Sequence, residues 1–133
     1  GGRRNMPSPG IYTRANREDA HKALVRRERD VFGVQEPLDV WPEDIEYLIT
    51  EVWGGVCLLT GGCLGGGGPA LTLTRWDRRR QASVDNLVLL TKTCAERHDH
   101  AEDPFATIDA ALIAAVGRTL EQAGRDSRAW RQR

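Results

Sequence analysis

The spacing of apolar positions changes several times along the chain, and each change predicts an element. From Asn16 the apolar residues are few but helically spaced, with Ala20, Leu24 and Val31 on a stripe and Phe32 as a terminal anchor. Asn16 can cap this helix, Glu18 and Asp19 suit its positive end, and Arg26, Arg27 and Arg29 crowd the other end before Gly33. A helix so charged must lean on a neighbour, and His21 near its start is expected to be solvated. Pro42 opens a firmer helix reaching about Trp53, in which Ile45, Leu48, Ile49 and Val52 share one face and Gly54 offers a left-handed stop. Trp41 and Trp53 flank that face as packing residues.

Beyond a glycine-rich stretch the period falls to two. Leu71 and Leu73 alternate with Thr72 and Thr74, which predicts a half-buried strand. The polar run "DRRRQASVD" predicts a loop, "NLVLL" a short buried strand, and Thr93 with Glu96 a capping box for a helix through Arg97. A last helix is predicted from Asp103 and Pro104 to about Gly124, striped by Ile108, Leu112, Val116 and Leu120, with a basic tail in which Trp130 could anchor to a partner. Residues 1–15, with Pro7, Pro9 and Gly10, predict an extended basic arm, because proline removes backbone donors. The chain thus divides into the arm (1–15), two helices (16–55), a hairpin-and-helix module (56–100) and a C-terminal helix with its tail (101–133). The expected fold class is α+β in a single domain.

Composition narrows the function classes. The 133 residues are 40% hydrophobic and 29% charged, and no apolar run approaches the ~20 residues of a bilayer span. The formal net charge is +0, which at first argues against nucleic-acid binding. Its distribution changes the picture: residues 1–33 carry eight basic and four acidic groups, 34–56 none and six, 57–100 six and four, and 101–133 five and five. An acidic helix therefore lies between a basic arm and a mildly basic module, a segregation suited to several neighbours at once. Three cysteines, Cys57, Cys63 and Cys94, cannot all pair within the chain, so a reducing compartment is the simpler expectation. The Arg-rich start without Met is compatible with organelle import, and mitochondrial localisation is the expectation.

The order strand, charged loop, Asn-led strand and helix over "LTLTRWDRRRQASVDNLVLLTKTCAERHDH" resembles the ββα-metal core of the HNH nucleases. The resemblance covers about 45 residues, from Val56 to His100, and rests on order and spacing. It implies a hairpin-plus-helix core that binds one divalent ion and cuts phosphodiester bonds, with a structural zinc in many members. Laid on that pattern, Thr74 stands where the metal-binding Asp belongs, Arg75 where the general base belongs and Ala95 where the final metal-binding His belongs, while Asn86 matches the motif's Asn. At the zinc positions Cys57 and Cys94 are retained, and Thr60 and Thr91 replace their partners. Threonine is a poor substitute for a carboxylate, arginine accepts no proton near neutral pH with its pKa above ~12, and alanine ligates nothing.

A noncatalytic, degenerate member is therefore expected, not an enzyme, with Asn86 serving local backbone hydrogen bonds. A shifted pair of Asp77 and His98 is the escape route for catalysis. No cofactor is expected; Cys57, Cys63, Cys94 and His98 form the candidate zinc set. Arg3, Arg4, Arg14, Arg75, Arg78, Arg79 and Arg80 are the candidate nucleic-acid contacts, since guanidinium binds phosphate oxygens bidentately; the alternative for the loop arginines is a solvated surface paired with Asp77, Asp85 or the acidic helix. The expected function is that of a structural subunit of a large assembly, a mitochondrial ribosomal protein that contacts rRNA and other protein subunits. The alternatives are an accessory subunit of a respiratory or ATP-synthase complex, which the zero net charge and acidic helix suit, and a divergent metal-dependent HNH nuclease.

Overall fold

The computed structural model describes residues 17–60 and 71–131, without the side chains of Arg128, Trp130 and Arg131. The arm with Arg3, Arg4 and Arg14, the Asn16 cap, Cys63 and the Trp130 anchor fall outside the described residues. Within them the fold is α+β: helices α1 (Arg17–Phe32), α2 (Pro42–Tyr47), α3 (Lys92–His100) and α4 (Ala110–Arg131), with strands β1 (Leu71–Arg75) and β2 (Leu87–Thr91). No described helix is long and apolar enough to cross a membrane.

The strands pair antiparallel, with Leu71 opposite Thr91, Leu73 opposite Leu89 and Arg75 opposite Leu87. Every residue of β2 is buried, because its far edge is also covered: the Leu58 N–H donates to the Leu89 carbonyl at 2.9 Å. Side chains alternate across the sheet, so the neighbours Thr74 and Arg75 point to opposite faces. Thr74 bonds to α3 and Arg75 to α1. That divergence sets up the site described below.

Helix boundaries follow from local chemistry. α1 ends where Gly33 takes φ 71°, with the Val34 N–H reaching back to the Glu28 carbonyl at 3.1 Å. α2 begins after Trp41, whose N–H donates to the Asp44 carboxylate at 2.8 Å. It runs on as a π-helical turn over Leu48–Val52, in which the Trp53 N–H reaches the Leu48 carbonyl at 2.9 Å, and it closes on Gly54 and Gly55 at positive φ. Ile45, Leu48 and Ile49 are almost fully buried in the core. Trp53 donates its indole N–H to the Leu87 carbonyl at 3.1 Å, whereas Trp41 remains 47% exposed. His21 is tied to the linker instead of being solvated, its Nε2 lying 2.6 Å from the Val40 carbonyl oxygen.

Three boundaries differ from the sequence pattern. The cap of α3 is Thr91, whose hydroxyl accepts the Cys94 N–H at 3.2 Å, so Thr93 is already helical. The last helix starts at Ala110, because Asp103–Ile108 is taken up by turns that place Phe105 against Trp76 and His98. The Asp109 carboxylate accepts the Ala111 N–H at 2.9 Å and opens α4 there. At the other end α4 continues through Gly124 to Arg131. Gly124 is a point of close approach, since a Cβ there would lie 3.1 Å from Asp85 Cβ.

These contacts lead to opposite expectations for two glycines of α4. Gly124→Leu is expected to destabilise by about 1–3 kcal/mol through overpacking against Asp85. Gly117 is exposed, and a Cβ added there would meet nothing within 4 Å, so Gly117→Ala is expected to stabilise by about 0.5–1 kcal/mol. Urea unfolding of both variants measures this, and a stable Gly124→Leu would contradict the close approach.

Candidate functional site

Of the positions singled out by the HNH-like pattern, Thr74 and Arg75 end β1 on its opposite faces, Ala95 lies on α3, and Asn86 stands just before β2. Thr74 is buried and donates its hydroxyl to Asp99 Oδ1 at 2.7 Å. The other carboxylate oxygen, Oδ2, receives the Arg27 guanidinium of α1. The Asp99 side chain is fully buried, so a cation from the chain itself neutralises a carboxylate that would be costly to leave charged and alone. Ala95, one helical turn earlier on α3, is 0% exposed and contributes only packing.

On the opposite face of β1 the pairing is reversed in sign. Arg75 donates through Nε to both oxygens of Glu28 at 3.1 Å and through Nη2 to Oε1 at 2.6 Å. Its Nη1 donates to the Arg78 carbonyl at 3.1 Å, and its Cζ lies 4.2 Å from the centroid of the Phe32 ring. Glu28 is 1% exposed and Arg75 8%. The expected place for Arg75 on a phosphate-facing rim is therefore corrected: its donors are committed inward to a buried carboxylate and a backbone carbonyl. Consecutive residues of α1, Arg27 and Glu28, thus clasp β1 from both faces.

The rest of the arginine run divides. Arg78 donates to the Asp99 carbonyl and the Glu102 carbonyl, each at 2.9 Å, and so ties down the end of α3. Arg79 and Arg80 reach solvent, with side chains 85% and 55% exposed, and pair with Asp77 and Asp85 at 3.3 Å. Exposed pairs of this kind hold side chains weakly. The backbone N–H of Arg79 is the main cause holding the Asp77 carboxyl below its ordinary pKa range; slight burial opposes it, and the Arg79 and Arg80 charges add to it.

Asn86 closes the loop that these arginines occupy. Its Oδ1 accepts the Asp77 N–H at 2.9 Å, and its Nδ2 donates to the carbonyls of Asp77, Arg80 and Gln81 at 2.9, 3.2 and 3.0 Å. The side chain is wholly buried and is spent on backbone groups.

His98 stacks on Trp76 with ring centroids 5.1 Å apart, meets the Phe105 ring edge-on, and places Nε2 2.7 Å from the Trp76 carbonyl oxygen. It forms no pair with Asp77. Cys57, 1% exposed, accepts the Thr91 N–H on Sγ at 3.2 Å. Burial pushes this thiol's pKa up, but hydrogen bonds from the Thr60 side chain and from the N–H groups of Thr91, Thr60 and Leu59 outweigh it and hold the pKa lower than usual. Thr60 and Thr91, at two expected zinc positions, thus both bond to a retained cysteine. Among the described residues no three His, Cys, Asp or Glu side chains cluster so as to hold a metal, so Cys57, Cys94 and His98 are not gathered; Cys63 lies outside that set.

Arg27, Glu28 and Asp99 were absent from the sequence-derived site. For Arg27 and Glu28 the only signal was an excess of charge on a helix with a thin apolar stripe, and Asp99, on α3, had none. No protein-family model matches the chain, and no curated protein matches it either.

The Asn86 geometry gives a direct test. Asn86→Ala removes one acceptor and the donor to three carbonyls, and is expected to lower stability by about 2–4 kcal/mol in urea unfolding. It is also expected to speed amide exchange across residues 77–86; unchanged exchange there would contradict the stapling role.

Proposed function

We propose that this protein is a noncatalytic structural subunit built on a degenerate HNH-like core. The observation that carries the reading is the Arg27 guanidinium seated on Asp99 beside Thr74, at the position where the resemblance expects a divalent ion. A fixed internal cation satisfies the local carboxylate but cannot lower the pKa of a bound water or exchange ligands, which is what a hydrolytic metal does. The position of the general base is held by Arg75, charged and paired with Glu28. Such a core is kept for its shape and its surface.

The assembly that fits best is an organellar ribosome, in which the basic, proline-containing arm with Arg3, Arg4 and Arg14 would reach rRNA or a neighbouring protein. The exposed Arg79 and Arg80 supply a second basic edge on the loop of the hairpin. Both features support contact with RNA phosphates, whose strength falls with salt.

Two assays separate the parts of this reading. The purified full chain is expected to leave supercoiled plasmid intact with Mg²⁺, Mn²⁺, Ni²⁺ or Zn²⁺. Metal-dependent nicking that Asn86→Ala abolishes would overturn the noncatalytic reading. From its native source the chain is expected to co-purify with rRNA, and recovery in a particle lacking RNA would overturn the ribosomal form while leaving the noncatalytic one standing.

A further inference from the structure

The outer side of the acidic segment is built around an aromatic residue. Trp41, at the start of α2, is 47% exposed, more than any other large hydrophobic among the described residues. Glu36 and Asp39 are exposed in the linker before it, and Glu43, Glu46 and Thr50 recur at helical spacing on the side turned away from the core. Residues 34–56 carry six acidic groups and no lysine or arginine.

α1 begins on this face. Arg17, its first residue, reaches Glu46 at 3.4 Å and Glu43 at 3.9 Å, and His21, one turn later, meets the Val40 carbonyl. The chain before Arg17 therefore enters the fold next to Trp41 and the acidic stripe. That arm carries Arg3, Arg4 and Arg14 and no acidic residue, and its Ile11, Tyr12 and two prolines are the kind of surface that an exposed indole packs against. Arg14 stands three residues before Arg17, a span of at most about 11 Å, so its guanidinium is within reach of Glu43 and of the Trp41 ring.

We propose that this face is the docking site of the chain's own basic arm, residues 3–14, and that RNA competes with it for the arm's arginines. Exposed ion pairs are weak singly, but a short tether supplies the arm at an effective concentration of about a millimolar. The segment already attached there is therefore favoured over a separate basic partner. The carboxylates stand in for phosphates, and hold the guanidinium groups until a polyanion of higher charge density displaces them. The docking stands on charge and connectivity, whereas the competition rests in addition on the reading that the arm contacts RNA.

A spin label at Ser8→Cys in a Cys63→Ser background of the full chain tests the docking, because Cys57 and Cys94 are buried. At low salt the label is expected to broaden the ¹H–¹⁵N signals of residues 36–51 and of the Trp41 indole. The broadening is expected to weaken at about 1 M salt and in Arg3→Glu/Arg4→Glu/Arg14→Glu. Broadening absent from residues 36–51, spread evenly over the surface, or undiminished in the triple variant overturns the docking. A mixture of unlabelled spin-bearing chain and ¹⁵N-labelled unmodified chain is expected to show none; broadening there would assign the face to the arm of a second copy and overturn the proposal. A short single-stranded RNA is expected to relieve the broadening. Glu36→Gln/Glu43→Gln is expected to tighten that RNA about threefold or more over the same charge change at Asp30 and Glu96, outside this face. RNA that binds without relieving the broadening overturns the competition. RNA that does not bind at all sinks the RNA reading and the competition together, and leaves the docking standing.

Discussion

The clasp of α1 across β1 is the constraint on which the rest of this structure depends. Two consecutive residues of one helix, Arg27 and Glu28, meet Asp99 and Arg75 on opposite faces of one strand, and three of these four are largely or fully buried. Each charge taken out of water is costly by itself, and removing one member of a buried pair destabilises by about 3–5 kcal/mol. The four groups can therefore be buried only together. This fixes the register of α1 on the hairpin, which its thin apolar stripe of Ala20 and Leu24 would specify poorly.

The clasp also explains how the remaining elements are arranged. With Asp99 held from both sides, the end of α3 is fixed, and Arg78 secures its carbonyl groups. His98, next to Asp99, is then positioned to stack on Trp76 and meet Phe105, which draws residues 103–108 out of the last helix. Asn86 holds the loop together and sets the turn on which α4 packs at Gly124. The same set of contacts occupies the side chains of Thr74, Arg75 and Asn86.

Much of the fold was legible in the sequence, for physical reasons that can be named. The period-two pattern at Leu71–Thr74, the buried run at Leu87–Leu90 and the glycine stops at Gly33 and Gly54 are local signals that tertiary packing reinforced. Asn86 was legible too, because an amide between two strands has few roles other than bonding backbone. What was illegible came from pairings distant in sequence. Nothing near Arg75 announces Glu28, 47 residues earlier, and nothing near Asp99 announces Arg27, 72 residues earlier. An arginine run therefore read as one surface, although one of its members is a core residue and another ties a helix end. The start of α4 was missed for a similar reason: Pro104 is a good first residue of a helix, but the place of Phe105 in the aromatic cluster overrides that preference.

The central claim is that Arg27 acts as the internal counter-ion of Asp99. A double-mutant cycle with Arg27→Met, Asp99→Asn and the pair, followed by urea unfolding, measures it most directly. A coupling energy of about 2 kcal/mol or more is expected, with the double variant more stable than the sum of the single losses would give. Additivity within about 0.5 kcal/mol would show that the two groups do not depend on each other, and would contradict the account.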